Sequence, residues 1–310
     1  MNPTRVYGLA ALIVALAVPL DAWALDAASV PWWVWPLTLF VVTFLLGIVA
    51  VLGGVGGGVL FVPIVGGFFP FHLDFVRGAG LMLALSGALS AGPGLLKTGL
   101  ASLRVGMPLA LVGSITSILG AMAGLALPAS VVQTALGAVI LGIAFLMWRA
   151  KRSERPEVER PDALGAALGM HGIFHDMAGR EDVSWRVHRT PIGFVLFAGI
   201  GFMAGMFGLG AGWANVPVLN LVMGAPLKVS VSTSGFLLSV IDTSAAWVYV
   251  NRGALLPLLV VPSILGVMLG ARIGGRLLHV TRASTVRKIV IALLLVAGAR
   301  AFVKGLGIWN

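Results

Sequence analysis

One carboxylate lies deep in an apolar run of this chain. Asp242 falls within residues 229–250, where Ser232, Gly235, Ser239, Asp242 and Ala246 recur every three or four positions and so share one helical face. That face is small and polar. A charged, unpartnered carboxylate at such depth costs several kcal/mol, so Asp242 is expected to be protonated, paired or in reach of water. Two chemistries fit: a carboxylate that carries protons, or a structural ion pair with Arg272 or Arg252.

A second pattern suits anion binding. Gly54-Val55-Gly56-Gly57-Gly58 leads to Pro63, and Gly208-Leu209-Gly210-Ala211-Gly212 leads to Pro217, each first glycine standing nine positions before its proline. Glycine admits close backbone approach and proline removes an amide donor, so both interrupt a helix that lipid would otherwise force to continue. Interrupted helices expose unpaired N–H groups carrying partial positive charge. Gly56, Gly57, Gly58, Gly210, Ala211 and Gly212 are therefore candidate substrate-binding positions; the plainer alternative is a bend that permits tight packing. Asn215, where the first copy has Phe61, can hold an anion through its amide or cap the following half-helix. Trp213 lines the path or anchors packing. Ser232, Thr233, Ser234 and Ser239 in the second half, and Ser86 and Ser90 at i and i+4 in the first, offer hydroxyls. Serines in membrane helices equally bond their own preceding carbonyls.

These residues need elements that lipid tolerates. Hydrophobic residues make up 59% of the chain and charged residues 10%, and mean hydropathy is +1.03, which marks an integral membrane protein. The absence of cysteine excludes disulfides, thiolate metal sites and cysteine nucleophiles. A net charge of +10 would suggest nucleic acid in a soluble protein, but here the basic residues fall mostly between apolar segments and read as topology signals. No nucleic acid, cofactor or metal is expected; the partners are the bilayer and a small anionic substrate.

Apolar segments run over about 35–53, 57–70, 78–96, 105–127 and 130–148, then 191–209, 212–225, 229–250, 254–275 and 285–303. The segments 57–70 and 212–225 are short and broken by glycine and proline, as half-helices or re-entrant arms are. Residues 1–27 fit a cleaved secretory signal or a retained first helix. The remainder divides into a first transmembrane repeat over 33–149, a linker over 150–190 and a second repeat over 191–305. The linker region, carrying Arg149, Lys151, Arg152, Arg155, Arg160, Arg180, Arg186 and Arg189, is assigned to the cytoplasm. Arg77, Arg252 and Lys304 are exceptions to the resulting topology. Five segments per half, an odd number, make the second repeat inverted. The expected fold is an all-α polytopic membrane protein of two inverted repeats with broken helices at the glycine motifs.

The repeat extends further. Gly120-Ala121-Met122-Ala123-Gly124 and Gly270-Ala271-Arg272-Ile273-Gly274 share a Gly-Ala-x-x-Gly pattern whose first role is close helix packing. In the linker, His171 and His175 have metal-compatible spacing, but Gly172, Gly179 and the alternating Val183, Trp185 and Val187 favour a turn and strand, so a small hairpin is expected instead. His72, Asp74 and Arg77 lie together at the outer end of a first-half arm, as a solvated loop or a charged mouth.

The paired breaks, the stretch Val216-Pro217-Val218-Leu219-Asn220-Leu221-Val222-Met223-Gly224-Ala225-Pro226-Leu227-Lys228, Ser232-Thr233-Ser234 and the Gly-Ala-x-x-Gly segments resemble the TauE/SafE sulfite-exporter family, the TSUP permeases, over about residues 38–305. The resemblance implies a bacterial inner-membrane secondary transporter of small sulfur-containing anions, such as sulfite or organosulfonates, coupled to the proton gradient. The first copy departs from the pattern, with Ala79-Gly80 where the second has Thr233-Ser234. An uncoupled anion channel, a membrane scaffold and an intramembrane enzyme are the alternatives. An enzyme needs a nucleophile, base or metal constellation at membrane depth, for which the sequence offers only Asp242 and scattered serines.

Overall fold

The computed structural model describes residues 31–53, 56–97, 100–149, 156, 158, 161–176, 181–277 and 283–308. The expected signal or first helix, Gly54 and most of the basic linker positions lie outside the described residues. Helices α1 (Val34–Gly53), α2 (Gly57–Phe68), α3 (Leu73–Lys97), α4 (Leu103–Ala126) and α5 (Ala129–Arg149) form the first half. A short helix α6 (Ala163–Ala167) and strands β1 (His171–Asp176) and β2 (Glu181–Arg186) follow. The second half comprises α7 (Thr190–Phe207), α8 (Gly212–Pro217), a π-helical turn (Val218–Val222), α9 (Leu227–Asn251), α10 (Pro257–Leu277) and α11 (Ala283–Gly305).

The chain is a helical, multi-pass membrane protein. Among the described residues, α4, α5, α7, α9 and the Pro257–Gly274 part of α10 are long and apolar enough to cross a bilayer. The two segments expected to be short are short: α2 has 12 residues, and α8 with its π turn spans only Gly212–Val222. Pro217 brings no amide to the ladder, and beyond it the Met223 amide reaches back to the Val218 carbonyl at 2.9 Å. Gly224, at φ +79°, then turns the chain into α9.

Contacts between the halves are reciprocal. The first helix of each half packs on the fourth of the other, α1 on α10 and α7 on α4. The third helices α3 and α9 meet, as do the fifth, α5 and α11. The Gly-Ala-x-x-Gly segments supply the close approach: a methyl on Gly120 would run into the Phe202 carbonyl of α7, and one on Gly270 into the Phe44 carbonyl of α1. One apolar core joins α1, α2, α5 and α11; a second joins α4, α7, α8 and α9.

The linker forms the hairpin expected from its alternation. Strands β1 and β2 are antiparallel, with His171 opposite Arg186 and His175 opposite Asp182. On a strand, positions four apart are about 13 Å from each other, so the helical spacing that would bring positions 171 and 175 together does not apply. Trp185 and Val187 insert into the second core, and the His188 amide donates to the Met223 carbonyl at 2.9 Å.

Substituting alanine at two helical glycines should separate packing from helix propensity. Gly120→Ala meets the α7 backbone and should lower the melting temperature of the detergent-purified protein, overpacking costing about 1–3 kcal/mol. Gly142→Ala, with nothing within 4 Å, should leave it unchanged or raise it, since alanine is favoured over glycine by up to about 1 kcal/mol in a helix.

Candidate functional site

Helix α7 ends at Phe207 because Gly208 adopts a left-handed φ of +69°, and Gly210, at +72°, repeats that turn before α8 begins. The chain between them lies directly on the first-half break. A Cβ on Gly58, at the start of α2, would stand 2.7 Å from the Leu209 carbonyl oxygen and 2.9 Å from that of Gly80. One on Gly80 would collide with the Gly208 carbonyl. The two glycine motifs therefore cross with bare backbone against bare backbone. Gly57 touches Val267 of α10, whereas Gly56 faces open space.

Asp242 completes this crossing. Its Oδ1 accepts a hydrogen bond from the Ala211 amide at 3.1 Å, while Oδ2 has no partner and the residue is 0% exposed. Neither Arg272 nor Arg252 pairs with it, so the alternative of a structural ion pair with either falls, and its partner is a backbone amide of the break itself. Gly210 must be glycine here for a second reason, because a Cβ would lie 2.8 Å from Asp242 Oδ2 and 2.7 Å from Ala84 Cβ. Within the turn that follows, Trp213 Nε1 and both side-chain polar atoms of Asn215 are buried without partners. Trp213 also bridges the two apolar cores. Four polar atoms with unspent hydrogen-bonding capacity thus sit between Ala211 and Asn215 and on the Asp242 that faces them.

Several of the candidate hydroxyls bond backbone groups. Thr233 Oγ1 accepts the Ser102 amide at 3.0 Å, tying α9 to the start of α4. At nine residues from Asp242, it lies about 14 Å along the helix. Ser232 and Ser234 are buried in the same turn as Thr233. Ser239 donates to the Phe236 carbonyl and Ser86 to the Leu83 carbonyl, both at 2.8 Å, which is the local bonding that membrane serines favour. The Ser90 side chain lies outside the described residues. Ser117 of α4 donates to the Ile241 carbonyl at 3.0 Å and steadies the turn of α9 that carries Asp242.

Two residues near the crossing were not singled out by residue type. Arg77, read from sequence as part of a solvated loop or charged mouth, is 0% exposed. One of its η nitrogens donates to the Met206 carbonyl at 2.9 Å, and the other pairs with Asp74. Tyr249 donates to the Gly205 carbonyl at 2.9 Å, with the Arg77 guanidinium 5.9 Å from its ring centre. Together they satisfy the last carbonyls of α7, which open into the glycine break. The signal for Arg77 was its misfit to the topology; Tyr249 had none beyond its place on α9.

Clefts open at both ends of the α4 and α9 pair. One, of 360 Å³, lies by the hairpin between Leu100–Arg104, Val229 and His171–Ile173. The other, of 470 Å³, lies at the opposite end and is lined by His72, Asp74, Met122, Arg252 and their neighbours. Among the described residues, no group of three or more His, Asp or Glu side chains is placed to hold a metal ion.

Comparison with known proteins agrees with this architecture. The model of the family "Sulfite exporter TauE/SafE" matches residues 39–301. A relative named "Probable membrane transporter protein YunE", from Bacillus subtilis (strain 168), is 25% identical over 141 residues, or 46% of this chain. The chain spans about half, 51%, of that protein's length. No solved structure matches.

Gly210→Ala should lower the melting temperature sharply, since a left-handed φ costs a side chain about 1–2 kcal/mol before any contact with Asp242. Gly56→Ala, facing open space, should melt within a degree or so of the parent protein by differential scanning fluorimetry, because substitutions away from close packing stay within about 0.5 kcal/mol.

Proposed function

This chain belongs to the Sulfite exporter TauE/SafE family, and from that premise we propose that it is a proton-coupled secondary permease for small sulfur-containing anions such as sulfite or organosulfonates. The observation that carries the reading is Asp242 holding the Ala211 amide at the crossing of the two breaks. An ionised Asp242 occupies that donor and repels an arriving anion. A protonated one has no charge to repel with and only a weak claim on the amide, so proton and anion enter the site together. Ala211, Gly212 and Asn215 then offer donors to the substrate on one side, and Gly57 and Gly58 at the start of α2 on the other.

Alternating access follows from two inverted repeats whose re-entrant arms meet at this point. The reciprocal packing of first on fourth helices, and of like on like at α3–α9 and α5–α11, supports that symmetry. Rocking one half on the other would slide the halves along these pairings and move access to the crossing from one face of the membrane to the other. In this reading the protein lies in a bacterial inner membrane with residues 150–190 in the cytoplasm, so that the cleft beside the hairpin opens inward and the His72–Arg252 cleft outward. Among the described residues, four buried polar atoms without partners gather at the crossing, on Trp213, Asn215 and Asp242, and they favour transport over a scaffolding role.

Reconstituted into proteoliposomes, the protein should move sulfite saturably and faster when protons flow with the anion. Asp242→Asn should bind sulfite yet lose that stimulation. A variant that keeps the parent's pH response removes Asp242 from coupling, and parent flux indifferent to a pH gradient would make the protein an uncoupled channel.

A further inference from the structure

The 470 Å³ cleft at the end opposite the hairpin joins three chain segments: His72–Phe75 entering α3, Met122–Ala126 closing α4, and Arg252–Ala254 leaving α9. It is walled by apolar side chains on the α4 side and by charge on the others. Arg252 is exposed and, among the described residues, has no carboxylate within ion-pairing distance. His72 is exposed, with Nδ1 accepting the Asp74 amide at 3.3 Å and standing 3.5 Å from Asp74 Oδ2, so Nε2 carries its donor. Asp74 lines the cleft with its side chain 29% exposed, and behind it stands Arg77, wholly buried, paired through one η nitrogen and with Nε unpartnered.

We propose that this cleft is an anion station: a small free oxyanion, sulfite or a sulfonate head, binds between Arg252 and His72 and competes with the Asp74 carboxylate for Arg77. The inference rests on the permease reading for its choice of ligand, and it adds a binding site away from the Asp242 crossing. Charge decides the sign. Arg77 and Asp74 cancel, which leaves Arg252 as the uncompensated charge of the cleft, and a planar guanidinium matches the oxygen spacing of an oxyanion. Asp74 both neutralises a buried cation and is the group an anion must displace. Arg77 Nε, buried behind Asp74 without a partner, comes within reach of a ligand only when Asp74 gives way. The carboxylate prevents a deep well: the anion gains Arg77 only by giving Asp74 back to water, so it is held without being trapped.

Sodium sulfite titrated calorimetrically into the full-length protein, in nanodiscs of neutral lipid and in nanodiscs containing phosphatidylglycerol, tests the station. Loss of one charge-assisted bond should weaken sulfite binding about tenfold in Arg252→Ala, with Arg252→Lys recovering part of it. Asp74→Asn should tighten binding several-fold, and because Arg252 is exposed its variants report even if Asp74→Asn folds poorly. Affinity unchanged in Arg252→Ala overturns the station. So does sulfite binding that phosphatidylglycerol abolishes, which would identify the occupant as a lipid headgroup. Unaltered affinity alongside proton-stimulated flux would sink the station and leave the permease standing; Arg252-dependent binding without any flux would do the reverse.

Discussion

Everything in this structure answers to one requirement: peptide groups released where a helix breaks must find partners when lipid supplies none. The chain breaks its helices beside other backbone and then satisfies the exposed ends with side chains from distant segments. At the end of α7, Ala204, Gly205 and Met206 present carbonyls that are taken by the Gly208 amide, the Tyr249 hydroxyl and the Arg77 guanidinium. At the end of α2, the Gly66 carbonyl receives Gln133 and Lys304, each at 3.2 Å, and the Gly67 carbonyl receives Arg300 at 2.8 Å. An unsatisfied buried carbonyl costs about 1–3 kcal/mol, so each break would be untenable without these ties. Cations at the carbonyl ends also offset the negative pole of each helix.

The same requirement explains charges that topology alone leaves out of place. Arg77 and Lys304 violate the distribution of basic residues expected of a cytoplasmic linker and its neighbours, because they serve helix ends rather than membrane orientation. Arg252 is the remaining exception: its backbone amide caps α9, but its side chain lines a cleft. Read together, the three exceptions separate charge that holds the fold from charge left over for a ligand.

Much of this was legible in sequence, for reasons particular to lipid. Apolar segments at 105–127, 130–148 and 229–250 anticipate α4, α5 and α9 within a few residues because hydropathy and length together leave little choice of structure. Helix ends at Gly53 and Phe207 fall beside the glycine motifs, whereas Pro63 lies inside α2 and Pro217 at the close of α8; the hairpin was legible in its alternation. The crossing itself was not. That Gly58 meets Leu209 and Gly80 meets Gly208 depends on how α2, α3 and α7 pack, and a glycine's missing side chain does not name its neighbour. Hydroxyl partners were equally hidden: Ser239 and Thr233 share a segment with Asp242, yet one bonds its own helix and the other accepts from the start of α4.

The carboxylates at the two ends of this argument behave alike. Asp242 holds the Ala211 amide as Asp74 holds Arg77, and each stands where an incoming anion would find its donor. A polar site buried in a bilayer has two poor options when empty: leave donors bare, at the cost of their lost hydrogen bonds, or fill them permanently and bind nothing. A tethered carboxylate offers a third, because it satisfies the donor while its own charge makes the arrangement reversible. The geometry at Asp242 sharpens this. Only one oxygen is satisfied, and Gly210 leaves no room for a side chain that could shield the other. In the proposed coupling, a single neutral donor holds the carboxylate, which keeps its hold weak enough for a proton to release.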